Sequence, residues 1–269
     1  MKSTVAAVIP PAWLYSLQSP SVPAVLRWLL QLESAVNLSN IVPWGRSFEE
    51  YRAMFALSDA DLQGRVLGCG DGPASFNAET TALGAQVVSV DPIYMYAAAE
   101  IEARVVATFA TVVSQLRAQA DRYVWEKFAD PDALGKARLE AMRRFLTDYE
   151  RGKQAGRYIP ASLPVLPFAD ATFDLGLCSH LLFLYTDHLS LADHISSARE
   201  LLRVAREVRI FPLLTLSGER STYLPALCEA LIHEGCSVEE QIVDYEFQRG
   251  ANVMLRLHRG PRWNFSARI

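Results

Sequence analysis

The stretch VLGCGDGPASFNAE, Val66 to Glu79, places Gly68, Gly70 and Gly72 within five residues, directly after an apolar pair. Glycine at that density marks a backbone that turns sharply or comes close to a ligand. Before it, RVLG reads as a short apolar strand; after it, SFNAETTAL reads as a helix ending at Gly84. QVVSVDP then gives a β-branched run that stops at Asp91 and Pro92. Strand, glycine turn, helix and strand make one βαβ unit, and such crossovers build parallel sheets. Two nucleotide-binding turns fail the pattern. A phosphate-cradling loop needs G-x-x-x-x-G-K-[ST], and no lysine occurs here. A dinucleotide fingerprint needs a glycine at the sixth position, which is Ser75 counted from Gly70 and Pro73 counted from Gly68.

On either side of this unit the chain changes character. A βαβ crossover needs about a dozen residues, yet after Asp91 this chain spends roughly sixty on the next crossover. Residues 95 to about 157 read as a helical insertion, whose second helix is capped by Asp130 and starts on Pro131. Its aromatics (Phe109, Tyr123, Trp125, Phe128, Phe145, Tyr149) have the spacing of helix packing, leaving one or two to face a substrate. FDLGLCS then reads as a buried strand, LADHISSARELLRV as a helix, EVRIFPLL as a strand and STYLPALCEALIHEG as a helix closed by Gly235. VEEQIVDYEF and ANVMLRLHR, joined through Gln248-Arg249-Gly250, read as an antiparallel hairpin.

Residues 1–63 read as a helical cap segment with proline-rich joints. One helix is expected over SVPAVLRWLLQLESAV and a second from SFEEYRAMFAL, where Ser47 and Glu50 form a capping box. Residues 64–269 form the core with its insertion. The expected fold is α/β: a three-layer sandwich around a mostly parallel seven-stranded sheet with a C-terminal antiparallel hairpin.

Composition narrows the function. The 269 residues are 51% hydrophobic and 21% charged, with a net charge of −4, which suits a packed core and argues against a phosphate-tracking groove. Four cysteines without a C-x-x-C pair suggest neither zinc nor a redox dithiol and fit a cytoplasmic setting. No apolar run approaches the roughly 18 residues of a membrane span.

The remaining pattern for the turn, G-x-G-x-[GA], is met by Gly70, Gly72 and Ala74. With it the chain resembles the class I S-adenosylmethionine-dependent methyltransferases. LPFADATFDLGLCS (Leu166 to Ser179) is similar to that family's L-P-F-x-D-x-x-F-D stretch, and ELLRVAREVRIFPL resembles its fifth helix and strand. The resemblance covers about residues 45 to 258, the insertion excepted. It implies S-adenosyl-L-methionine as cofactor, with the turn (Gly68, Cys69, Gly70, Gly72) beneath its methionine part. Asp91, nineteen positions after Gly72 and followed by Pro92, would accept from both ribose hydroxyls. Ser162 and Leu163 would lie at the adenine, Ser179 at the end of strand four, and Tyr51 and Arg52 would cover the cofactor and hold its carboxylate. The chain departs from the family at Gly68, where an acidic residue is frequent, and before strand five, where AREV replaces proline-glycine-glycine.

His180 follows strand four, beyond whose end ligands of open α/β sheets bind, and could act as a general base. No H-x-x-x-H pair exists and no metal is expected. Cys178-Ser179-His180-Leu181 stands where methylases of amide or base nitrogens carry asparagine or aspartate followed by Pro-Pro-aromatic, so the expected acceptor is a small molecule and not nucleic acid. Three alternatives stay open: an NAD-dependent oxidoreductase, a non-catalytic ligand- or partner-binding module, and an insertion that serves as the arm of a homodimer.

Overall fold

The structure, a computed structural model, describes residues 44–260. The helix expected within residues 21–36 lies outside the described residues. Seven strands form one sheet in the order β3-β2-β1-β4-β5-β7-β6. They are β1 (Arg65–Cys69), β2 (Gln86–Val90), β3 (Tyr158–Ile159), β4 (Phe173–Ser179), β5 (Ala205–Phe211), β6 (Ser237–Ile242) and β7 (Val253–His258). The first five run parallel, and β7 is antiparallel to both β5 and β6. This is the mostly parallel seven-stranded sheet with a C-terminal antiparallel pair that was expected.

Both faces are covered, which is why the central strands are apolar throughout. On β1, Val66 joins one buried cluster with α1 (Phe48–Met54) and Phe76 of α2 (Phe76–Ala82), while Leu67 and Cys69 join the other. That second cluster holds Leu201 of α5 (Leu191–Val204) and Leu227 of α6 (Leu224–His233). The expected capping box at α1 is present in both directions: Glu50 N donates to Ser47 Oγ at 3.3 Å and Ser47 N to a Glu50 carboxylate oxygen at 3.2 Å.

The insertion divides into two parts of different kinds. Its helices are α3 (Ala98–Ala118) and α4 (Pro131–Gln154), and Asp130 caps α4 through Ala133 N at 2.7 Å. Helix α4 packs on α2 and β3, and its Phe145 and Tyr149 are buried with Tyr94 and Tyr158. It is therefore the ordinary crossover helix between β2 and β3, and only α3 is additional. The sequence reading assigned no strand at β3, which is two residues long and too short to show alternation. Helix α3 lies against α4, closely enough that a side chain at Gly135 would press on Phe109 and Val113, each 3.0 Å away.

The C-terminal hairpin also differs in its connection. Its strands end at Ile242 and resume at Val253, so residues 243–252 form a ten-residue loop where a tight turn was expected at 248–250. Val243 N donates to Asn252 O at 2.9 Å and closes the base of that loop.

Candidate active site at the strand ends

The chain order reverses between β1 and β4, where open α/β sheets bind ligands at the C-terminal strand ends. Gly70 and Gly72 sit there with φ of 73° and 54°, a left-handed conformation that side chains rarely adopt. A side chain at Gly70 would crowd Leu181, 3.1 Å away, whereas at Gly72 the nearest atom is an Asp91 oxygen at 4.0 Å. The turn thus presses its first glycine against the strand and opens its second to the space above.

Asp91 follows β2 and closes this corner. One carboxylate oxygen accepts from Gly72 N and the other from Ile93 N, each at 2.9 Å. Burial pushes its pKa up to about 6, against the pull of those two N–H groups. Asp71, within the turn, accepts from Tyr51 Oη at 2.8 Å and from Ser89 Oγ at 2.5 Å. Its burial pushes it up to about 7; the two hydroxyls oppose the shift and the Asp91 charge adds to it.

The missing acid of the sequence pattern has a spatial substitute here. A side chain at Gly68 would collide with the Asp71 carboxylate, so Asp71 folds back into the room that Gly68 leaves. An aspartate inside the glycine run was the available signal, and linear alignment passed over it.

Above the turn lies a cavity of about 570 Å³. Gly70, Asp71, Gly72 and Asp91 line its floor. One face of α3 lines the opposite side with Arg104, Val112, Gln115 and Leu116, followed by Gln119 just past its end. Tyr245, Phe247 and Gln248 of the hairpin loop, His180 and Tyr185 after β4, and Trp44 and Arg46 before α1 complete the wall.

His180 is placed as expected, on the wall just past β4. Its φ of 51° is a left-handed strain for a non-glycine residue, held by its N–H donating to Phe211 O at 2.7 Å. Nδ1 and Ser179 Oγ lie 3.1 Å apart, sharing a hydrogen bond whose direction follows the tautomer. Burial first, then the charges of Arg46 and Arg138, lower its pKa well below the ordinary value, so the ring is neutral near pH 7.

The other expected residues are not brought onto the wall. Gly68 and Cys69 lie within β1, beneath the turn, and Pro92 opens the 3-10 turn that Asp91 caps. Ser162 bridges Val165, and Leu163 is buried in the core. Ser179 is buried behind His180. Tyr51 is buried with its ring stacked on Phe76 at 4.2 Å, supporting Asp71 from behind. Arg52 is a correction: it points outward and pairs with Asp59 at 2.9 Å in a bridge exposed on both sides. Neighbours on a helix face different directions, and here Tyr51 turns inward while Arg52 turns to the surface.

Arg46 was missed. It lies before the capping box, on a strap whose Arg46 O accepts from Ser75 N at 3.0 Å, and Gly45 fits against Pro73 only because it lacks a side chain. Beside it Glu50 accepts from both terminal guanidinium nitrogens of Arg138, one at 2.6 Å, and from Tyr245 Oη at 2.9 Å. Burial would raise the Glu50 pKa, but Arg138 overrides it and holds the carboxyl at about 2. This buried triad ties α1, α4 and the hairpin loop together.

No family model matches the chain. Among solved structures, magnesium protoporphyrin IX methyltransferase (ChlM) from Synechocystis PCC 6803 with bound SAM is 12% identical, with a TM-score of 0.41 over 79% of this chain and 78% of that one. A putative RNA methyltransferase, PH1948 from Pyrococcus horikoshii, is 10% identical, with a TM-score of 0.39 over 79% and 84%. The uncharacterized protein MJ0045 of Methanocaldococcus jannaschii is 33% identical over 225 residues, which span 83% of this chain and 99% of that protein. On that similarity, the chain belongs to the same family as MJ0045.

Proposed function

We propose that this chain transfers a methyl group from S-adenosylmethionine to a small-molecule acceptor. The observation that carries the reading is the corner made by Gly72 N–H and the Asp91 carboxylate, 2.9 Å apart at the floor of the cavity. The residues suit such a ligand. Each Asp91 oxygen takes one backbone N–H and keeps a lone pair for a ribose hydroxyl. A buried carboxylate with its pKa raised to about 6 gains from new donors. The open side of Gly72 leaves room for a ligand to lie against the backbone.

When bound, S-adenosylmethionine supplies a methyl group already activated by its sulfonium charge. The work left to the protein is to hold the acceptor in line and exclude water. Asp91 and the turn would fix the cofactor, and α3 with the hairpin loop would cover the chamber. His180, neutral near pH 7, would take a proton from an acceptor oxygen or nitrogen if one must leave. The enclosure by α3 supports a small acceptor over a polymer.

Parallel calorimetric titrations with S-adenosylmethionine, S-adenosylhomocysteine and NAD test the reading. The first two should bind one per chain and NAD should not. Binding of NAD alone would move the chain to the oxidoreductase alternative, and no binding by any of the three would leave the partner-binding module.

A further inference from the structure

The cavity is electrically divided. Asp71 and Asp91 stand at the glycine turn, whereas Arg46, Arg104 and Arg122 line the remainder, with exposed Asp187 the one further acid among its described lining residues. A chain of net charge −4 has gathered three guanidinium groups around one chamber. Two of them are engaged. Arg122 donates to Gln119 Oε1 and to Leu216 O, both at 2.7 Å, and Arg104 lies over the Tyr96 ring at 4.4 Å.

Arg46 is different. Among the described residues the one hydrogen bond of its guanidinium runs from Nη1 to Trp44 O, at a long 3.3 Å, and its buried Nε has no partner. The carboxylate that could serve it, Glu50, is taken by Arg138 and Tyr245. Burial and the Arg138 charge both act against its ionised form. A guanidinium kept under those conditions lacks a counter-charge that a ligand can supply.

Its place selects which ligand. The strap holds Arg46 beside the start of α2, but its charge is felt by His180, Tyr185 and Tyr245, around the end of β4 and the hairpin loop. Tyr51, which supports Asp71 from behind, feels that charge as well, so Arg46 stands between the glycine turn and the hairpin loop. Its neighbour Trp44 shares a cavity wall with the Tyr123–Phe247 pair, stacked at 4.7 Å and 15°. A flat apolar body fits that wall, and a planar carboxylate fits the guanidinium fork.

We propose that Arg46 is the anion-binding group of the acceptor subsite and that the acceptor is a small carboxylic acid with a flat apolar body. The proposal rests on the reading that the glycine turn holds S-adenosylmethionine. The amino-acid carboxylate of that cofactor is the other anion with matching chemistry, so the test separates the two.

The full chain, saturated with S-adenosylhomocysteine, is titrated with benzoate, phenylacetate and indole-3-acetate and with the three corresponding amides. At least one acid should bind, at least about tenfold more tightly than its amide. Arg46→Gln should weaken that acid by about tenfold or more and leave S-adenosylhomocysteine within about twofold. Arg46→Lys, which keeps the charge and loses the fork, should recover part of the loss. The proposal is overturned if no acid binds, if acid and amide bind alike, or if Arg46→Gln leaves the acid unaffected. It is also overturned if Arg46→Gln loses S-adenosylhomocysteine but keeps 5′-methylthioadenosine, because Arg46 would then hold the cofactor's carboxylate. Failure of the wild-type chain to bind S-adenosylhomocysteine rejects the proposed function itself, and with it this account of the acceptor.

Discussion

The floor and the cover of the chamber are built in opposite ways. The floor is local: β1, the glycine turn, β2 and Asp91 lie within residues 65–91, and each part serves the next. The cover comes from three distant segments, the strap before α1, helix α3 and the hairpin loop 243–252. The hairpin-loop part of the cover is anchored at one buried carboxylate, Glu50, which reaches Tyr245 across 195 positions and Arg138 of α4 across 88. A local device can be recognised as a motif. A device assembled by tertiary contacts has freedom to vary, and in this chain it lines the cavity above the glycine turn.

The comparison can be broken first at Glu50. Glu50→Ala would leave Arg138 buried without its counter-charge, and removing one member of such a pair costs about 3–5 kcal/mol. Arg52→Ala, at the exposed bridge to Asp59 on the same helix, should cost under about 1 kcal/mol. Urea denaturation of the two variants measures the contrast. Equal losses would mean the triad does not hold the cover.

The floor should show its strain as a pH dependence. Asp71 has a folded pKa of about 7 against an ordinary 3.8, so between these values the folded state keeps a proton that the unfolded state loses. Stability from this group is therefore full below about pH 4 and falls as pH rises toward 7. Asp91, raised to about 6, acts in the same direction. His180, lowered by burial, acts in the opposite one, costing stability as pH falls below 6.5. Asp71→Asn should therefore stabilise the unliganded protein at pH 8, by at most about 4 kcal/mol, and match wild type near pH 4. Denaturation midpoints across that range check it, and a mutant less stable at pH 8 than at pH 4 relative to wild type would reverse the sign.

Smaller effects separate floor from wall. His180→Ala should slow turnover about a hundredfold with cofactor affinity little changed. Asp91→Ala should weaken S-adenosylhomocysteine roughly ten- to a hundredfold, the loss of hydrogen bonds to a charged acceptor. Circular dichroism confirms that both variants fold. If the two substitutions gave the same pattern of lost affinity and turnover, His180 and Asp91 would not have the separate roles assigned to them.

What could be read in the sequence follows the same division. The strands flanking the turn, the capping box at Ser47 and the start of α4 at Asp130 and Pro131 are all set by residues within a few positions of one another. The tether of the L-P-F stretch is not: Glu200 and Arg203 of α5 reach Leu166 N and the Leu166 and Phe168 carbonyls across 34 to 37 positions. Arg46 carried no local signal, because its partners are decided by where the hairpin loop and α4 pack. Tyr245 and Phe247 alternate as a strand would, and only the folded hairpin shows them in a loop above the cavity. The insertion read as one unit because both segments carry helical patterns, although one packs on the sheet layer and the other roofs the chamber.

Hydrogen exchange with and without saturating S-adenosylhomocysteine tests the division most directly. Helix α4, as a crossover packed on α2 and β3, should be protected already and change little. Residues 70–72 and 91–95 and the cavity face of α3 should gain protection on binding. Protection gained equally along α3 and α4, or unchanged at the glycine turn in the saturated protein, would contradict a local floor beneath a separate cover.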